Sequence, residues 1–365
     1  MPEPVRDPVG GPVRGPVREV AIVAFGQSAH VRDSAAASEV EMLMPVLHDV
    51  LARTGLKASD IDFTCSGSSD YLAGRAFSFT MALDGVGAWP PISESHVEMD
   101  GAWALYEAWV KLLTGEAETA LVYAYGKSSP GDVREVLTRQ LDPYYVAPLW
   151  PDSIALAALQ AQALIDAGLT DERRLAGIAA RSRTAAESNP HAQLRGALPS
   201  GAPVVAPLRT GDCPPVSDGA AAVILAAGDT ARRLCDRPAW IRGLDHRIEA
   251  HSLGVRDLTD SPSTRLAAER AGAFARPVDT AELHAPFTSQ EVVLRRALAL
   301  DAPGSTVRIN PSGGALAANP VMAAGLIRLG EAAAGIQRGE SDRALAHATS
   351  GPCLQQNLVA VLEGE

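Results

Sequence analysis

The chain has 365 residues, 47% of them hydrophobic and 21% charged, with a formal net charge of −11. That composition is globular, and the length accommodates two ordinary domains or one large one. The acidic balance, with no basic run, excludes nucleic acid and an anionic membrane surface as the main partner. Cys65, Cys213, Cys235 and Cys353 are scattered without a CxxC pair, which excludes a disulfide framework and a structural zinc site. No stretch approaches the roughly 18 apolar residues of a membrane span, so a soluble cytoplasmic protein with no bound metal is expected.

The opening MPEPVRDPVGGPVRGPVR has no apolar h-region and is not a signal peptide. Its repeated Pro-Val pairs predict a disordered, extended tail over residues 1–17. EVAIVAFG over 19–26 is an apolar run closed by glycine and predicts a buried strand. A helix is predicted over about 38–54, then a short strand at 62–65, a turn at SGSSD and another helical stretch. SHVEMDGAWAL then opens the next helix at Gly101, and ETALVYAYG over 118–126 returns as a strand. Strand and helix alternating across short connections imply a parallel, layered α/β architecture.

From 127 to 207 the pattern changes. LDPYYVAPLWP and two Ala-rich helices, predicted over 154–167 and 173–187, indicate an inserted helical subdomain. PPVSDGAAAVILAA resumes the strands, and a second α/β run occupies 239 to 365. The two runs echo each other. TGEAETALVYAYG (114–126) and RGESDRALAHATSG (338–351) both place Gly-Glu after a long helix and then open an apolar strand with Ala-Leu. Each helix also follows a loop entering at small residues, Asp100-Gly101 in one case and Asn319-Pro320 in the other. Chance is the simpler reading of any one pair; the shared order of loop, helix, turn and strand favours duplicated halves related by a pseudo-dyad. In such a pair two helix N-termini converge, a natural place for an anion or a reacting carbonyl.

Four segments together resemble the thiolase superfamily, specifically its sterol-carrier-protein-like branch, often labelled non-specific lipid-transfer proteins. PPVSDGAAAVILAA is similar to that family's CPVSDGAAA strand, and LAGIAARSRTAAESNPHAQ to its loop-domain helix and NP-x-AQ turn. AELHAPFT resembles the branch's HDCF segment, and INPSGGALAANPVMAAGLIRLGE its N-x-x-GG…GHP-x-G segment. The resemblance spans about residues 18–363. It implies two βαβαβαββ halves in five αβαβα layers: an N-terminal half over 18–235 that includes the loop subdomain 127–207, and a C-terminal half over 236–365. It also implies acyl-CoA thioester substrates, with coenzyme A as part of the substrate and no other cofactor. A homodimer or a heterodimer with another thiolase-like chain is the implied assembly.

Most of the family's catalytic positions are altered here. The nucleophilic cysteine position falls at Glu98, with Asp100 two residues on. His284 is kept, but Ala285 and Pro286 replace the acid and second cysteine of HDCF. Asn319 stands in for the histidine of GHP, and His347 lies where the branch usually shows a histidine. Without a thiolate at a helix N-terminus, cysteine-dependent Claisen chemistry is not expected. Glu98, Asp100, His284, Asn319 and His347 are therefore the candidate catalytic set, expected to converge on one pocket. Gly313, Gly314, Ser350 and Gly351 are candidate substrate contacts.

Each has a plainer alternative. Asp100 can be a simple helix cap and Asn319 the cap before Pro320. His284 and His347 can be satisfied core histidines, and the SGG run over 312–314 a tight turn. Against that reading, Val97 and Met99 suggest that Glu98 is not surface decoration.

Three functions follow from the resemblance. Some members of the branch lack the cysteine and cleave β-hydroxyacyl-CoA thioesters by retro-aldol chemistry in steroid side-chain breakdown, and this chain's set fits that logic. It departs from the aldolase pattern, which uses tyrosines around His284 and the Asn319-Pro320 loop. A second function is a catalytically silent subunit paired with an active thiolase-like chain or with a zinc-ribbon/OB-fold protein. The third is a lipid or acyl-CoA carrier, ranked last because no sterol-carrier domain follows residue 365.

Overall fold

The computed structural model describes residues 18–35, 37–88, 91–197 and 202–365; the tail expected over 1–17 lies outside the described residues. The first run comprises β1 (Val20–Gln27), α1 (Glu39–Thr54), β2 (Phe63–Gly67), α2 (Asp70–Ala73), α3 (Thr80–Val86), β3 (Glu94–Val97), α4 (Gly101–Thr114) and β4 (Thr119–Lys127). The insertion carries α5 (Val133–Arg139), α6 (Ser153–Asp166), α7 (Glu172–Ala185) and a hairpin of β5 (Pro203–Val205) with β6 (Leu208–Arg209). β7 (Asp218–Ala227) completes the first sheet and α8 (Gly228–Leu234) leads out of it. The second run is β8 (Ala239–Ile248), α9 (Pro262–Arg270), β9 (Thr280–Leu283), α10 (Thr288–Ala297), β10 (Arg308–Ile309), α11 (Ala324–Gln337), β11 (Arg343–Ser350) and β12 (Gln356–Glu363).

Apart from the β5–β6 hairpin, the strands hydrogen-bond in one continuous order, β10-β9-β11-β12-β8-β1-β7-β4-β2-β3. This order comprises two five-stranded halves meeting where β1 pairs antiparallel with β8, Ala21 opposite Trp240 and Ile22 opposite Ala239. Numbered within each half, both read 3-2-4-5-1, with the fifth strand antiparallel to its neighbours. The same strand order therefore recurs in both halves. α4 and α11 lie together in the central layer, their apolar faces sharing one core with the inner faces of both sheets. α1 and α3 cover the outer face of the first sheet, and α9 and α10 that of the second. Among the strands the sequence reading did not separate is β3, four half-buried residues (ESHV) on the sheet edge with no apolar run to mark them.

Local chemistry accounts for the helix ends that matter. α1 starts in a capping box, the Glu41 N–H donating to Ser38 Oγ at 3.2 Å and the Ser38 N–H to Glu41 Oε2 at 2.7 Å. α4 starts at Asp100, whose carboxylate accepts the Ala102 N–H at 2.9 Å, and stops at Gly115 in the left-handed region. Asp218, at the head of β7, accepts from the backbone N–H and hydroxyl of both Ser34 and Ser129, pinning two loops to the first sheet.

Beneath α11 lies a buried ion pair. Arg328 Nη1 sits 2.6 Å from Glu282 Oε2 on β9, and both side chains are almost fully excluded from solvent. Ser312 donates its backbone N–H (3.0 Å) and its hydroxyl (2.7 Å) to the same carboxylate. Burial pushes the Glu282 carboxyl up, against the pull of Arg328. Truncating one member leaves an uncompensated buried charge, so Arg328→Met is expected to cost about 3–5 kcal/mol in guanidinium unfolding. The double variant Glu282→Leu, Arg328→Met should be more stable than Arg328→Met alone; equal or lower stability would count against the pair as the cause.

Candidate active site

Asp100 is the centre of the site. Besides capping its own helix it reaches α11, accepting the Gly325 N–H at 2.9 Å and the Leu326 N–H at 3.0 Å. In return the Gly101 N–H donates to Met322 O at 2.8 Å. One carboxylate thus sits between the N-termini of two helices, one from each half, where both helix dipoles present their positive ends. A side chain on Gly325 would place Cβ 2.5 Å from Asp100 Oδ1, so glycine is what admits the carboxylate there. Burial pushes the Asp100 pKa up to about 6, against the downward pull of the three backbone N–H groups and of Arg328.

Asp100 lines a cavity of roughly 340 Å³ together with His284, Asn319, Thr349, Ser350 and Gly351, and with Leu137 of α5 and Gln140 just after it. His284 follows β9, with its Nε2 at 3.1 Å from Asn319 Oδ1 and its Nδ1 accepting the Thr349 N–H at 3.4 Å. This pattern assigns the neutral tautomer, Nε2–H donating to Asn319. Burial holds the His284 pKa down to about 3, so the ring stays uncharged at neutral pH. The Asn319 backbone N–H is tied to Ser217 Oγ at 3.0 Å, and its amide nitrogen has no partner among the described residues. The cavity therefore holds an ionisable carboxylate, an oriented amide donor and, besides His284, a second imidazole, His251.

The expected set divides. Asp100 is both cap and cavity residue, so its two readings hold together. His284, Asn319, Ser350 and Gly351 line the same cavity. Asn319 does not cap α11, which begins four residues after Pro320 at Ala324. Glu98 does not converge with them. Its side chain is 50% exposed, accepts the Asp70 N–H at 2.6 Å and lies 3.4 Å from His96 Nε2, so it serves the start of α2 at the surface. The apolar flanks of Glu98 misled: Val97 ends β3, and Glu98 lies on the turn after it.

His347 is also elsewhere. Alternation along β11 places Ala344, Ala346 and Ala348 toward α11, and Leu345 and His347 on the opposite face. There it pairs with Asn357 at 3.0 Å, fully buried, and burial holds its pKa down to about 4. It reaches the site only through its carbonyl, which accepts the His284 N–H. Gly313 and Gly314 make a turn with φ of 96° and 64°, packed on Ala186 and Asn310, and neither lines the cavity.

The sequence reading missed Thr349, Ser217 and Met322. Thr349 adjoins Ser350, and Ser217 lies inside the PVSDG segment, so both were within reach; Met322 reads as an ordinary apolar helix residue. Among the described residues no cluster of histidine, cysteine or carboxylate side chains is arranged to hold a metal ion, and no helix is long and apolar enough to cross a membrane.

No family model matches the chain. It is similar to an acetyl-CoA acetyltransferase of Methanocaldococcus jannaschii, 26% identical over 351 residues covering 86% of this chain and 88% of that protein. A stretch of 112 residues, 30% of the chain, is 32% identical to the 3-oxoadipyl-CoA/3-oxo-5,6-dehydrosuberyl-CoA thiolase of Escherichia coli, covering 27% of that enzyme. Among solved structures, an Ltp2-ChsH2(DUF35) aldolase superposes with a TM-score of 0.78 at 19% identity, covering 94% of this chain and 97% of that one. Human mitochondrial 3-ketoacyl-CoA thiolase superposes with a TM-score of 0.76 at 16% identity, over 96% and 100% of the two chains. The structures share the fold, and the sequence relatives support a place in the thiolase superfamily.

None of the four cysteines lines the cavity. Burial pushes Cys65 and Cys213 up to about 12 and Cys353 up to about 11, and raises Cys235 as well. Iodoacetamide at neutral pH is therefore expected to label the native chain far more slowly than free glutathione. A thiol that reacts at the rate of a low-pKa thiolate, read by mass spectrometry, would contradict this arrangement.

Proposed function

We propose that the chain is an acyl-CoA-directed C–C lyase that cleaves a β-hydroxyacyl-CoA by retro-aldol chemistry, without a covalent acyl-enzyme. The observation that carries this reading is the cavity in which a buried carboxylate, Asp100, and an oriented amide, Asn319, meet with no cysteine beside them. In the proposed reaction Asp100 takes the β-hydroxyl proton. The Cα–Cβ electron pair passes to the thioester carbonyl, which becomes an enolate, and the β-carbon leaves as a ketone or aldehyde. The Asn319 amide donates to the enolate oxygen, and the proton held by Asp100 returns to Cα, giving the shortened acyl-CoA. His284 positions Asn319: by donating Nε2–H to Oδ1 it directs the amide nitrogen toward the cavity. Lipid or steroid side-chain catabolism is the setting that the family resemblance implies.

A partner subunit is part of the proposal. The aldolase of similar fold is a complex of two named components. In this chain Tyr144, Tyr145, Leu149 and Trp150 of the insertion are 56–82% exposed, an apolar surface beside the segment that roofs the cavity. A zinc-ribbon/OB-fold protein or a second thiolase-like chain is the expected occupant.

Purified chain, alone and with its partner, should release a carbonyl product from β-hydroxyacyl-CoA substrates. Asp100→Asn is expected to lower kcat by about 10²–10⁴-fold, whereas the surface variant Glu98→Gln should stay within a few-fold of the wild type. A partnered complex whose turnover is indifferent to Asp100→Asn would instead identify a silent subunit. The pH profile gives a second test. Asp100 must be ionised to accept the proton, and its pKa is about 6, so kcat/KM should rise with pH through that value and level off above it. His284, neutral throughout, should add no inflection there, and a rate that falls as pH rises through 6 would reject Asp100 as the base.

A further inference from the structure

A second cavity, of roughly 410 Å³, lies against the first. Its walls include Tyr71, Leu72 and Tyr125, and Val133 and Val136 of α5, while Leu137 of the same helix and Gln140 at its C-terminal end line the Asp100 cavity. Only Val321 and Met322 line both. The two spaces are thus neighbouring rooms under one helix, with a two-residue wall between them.

The backbone of that wall is fixed. Met322 O accepts the Gly101 N–H at 2.8 Å, and Pro320 O accepts the Ala323 and Ala324 N–H groups at 3.0 and 2.9 Å. On the other side Val321 is pressed so closely on Gly126 that a Cβ there would lie 2.2 Å from Val321 O. Met322 has a φ of 79°, a left-handed conformation where glycine is the ordinary occupant and a long side chain is disfavoured. A methionine held there puts an unbranched, adaptable side chain at the one point where the cavities meet.

We infer that Met322 is a specificity gate. In this assignment the second cavity is the subsite for the part of an acyl chain beyond its β-carbon, the half released as ketone or aldehyde, and Met322 sets how far that half extends. Tyr71, Leu72, Tyr125, Val133 and Val136 give it an apolar wall suited to an alkyl or alicyclic group, while Glu39, Lys127, Ser68, Ser69 and Ser128 line the rest and can meet a polar substituent. The inference rests on the reading of the Asp100 cavity as an acyl-CoA site.

The test is calorimetric binding of saturated acyl-CoA thioesters, from butyryl to palmitoyl, to the full chain; these lack the hydroxyl and are not cleaved. Each buried methylene is worth about fourfold in affinity, so affinity should climb with chain length and stop where the gate is met. Met322→Gly removes the side chain and suits the positive φ, so the climb should continue for longer chains. Met322→Phe should end it earlier. Met322→Gly combined with Val136→Phe, which fills only the second cavity, should restore the wild-type end point. Unchanged end points in both single variants, or an extension in Met322→Gly that survives Val136→Phe, overturn the inference while leaving acyl-CoA binding intact. Failure of the wild-type chain, alone and with its partner, to bind any member of the series overturns the acyl-CoA reading and the gate with it.

Discussion

Three backbone N–H groups, from residues 102, 325 and 326, converge on the Asp100 carboxylate, and the relative placement of the two halves follows from that convergence. A helix N-terminus leaves its first N–H groups without intrahelical partners. Buried between two sheets, those of α4 and α11 have no water to turn to, and leaving them unmet costs about 1–3 kcal/mol each. A carboxylate that answers both helices at once joins the halves at hydrogen-bond precision. The return bond from Gly101 to Met322 O closes the clasp. Only small residues fit around it: Gly101 approaches Ala124 and Leu326, and Gly325 approaches Asp100 and Ala348, each within about a methyl group's reach.

The clasp also fixes the cavity. Asp100 cannot move without disturbing both helices, and the loop carrying Asn319 to Met322 runs directly into one of them. The insertion supplies the roof through α5, and Thr349, Ser350 and Gly351, where β11 ends, supply the far wall. His284 comes from the end of β9, next to β11 in the sheet, which is why the Thr349 N–H can reach its Nδ1. Each polar group is held by a different element of the duplicated framework.

Much of this framework was legible in the sequence because repetition is a pattern, and patterns survive in a single chain. The Gly-Glu turns at 115–116 and 339–340, each followed by an Ala-Leu strand, pointed to two halves, and the strand order repeats in both. Asp100, His284 and Asn319, which line one cavity, could be picked out as candidates because chemistry-bearing residues stood at element ends. Glu98 and His347 could not be told apart from them by type. Their fates turn on which way a strand or turn faces, and only two positions separate Glu98 from Asp100. The Glu282–Arg328 pair was equally invisible, since a charged residue on a predicted helix reads as solvent-facing until the layer above it is known. Met322 carries no sequence signal at all; its meaning lies in a backbone angle.

The clasp has a chemical consequence as well as a mechanical one. In a fold built from two converging helix N-termini, the positive ends of the dipoles are the obvious means of lowering a thiol pKa or holding an oxyanion. Here Asp100 has already claimed them. Its negative charge cancels much of the local positive potential, so a thiolate placed there would meet like charge. A developing oxyanion would compete with the carboxylate for the same donors. In the proposed reaction charge stabilisation comes from a group outside the clasp, the Asn319 amide, held against a histidine that burial keeps neutral. A neutral donor beside a carboxylate can support proton removal and an enolate without drawing the base into an ion pair. In the proposed reaction the carboxylate that would oppose a thiolate is thus the same one that serves as the base.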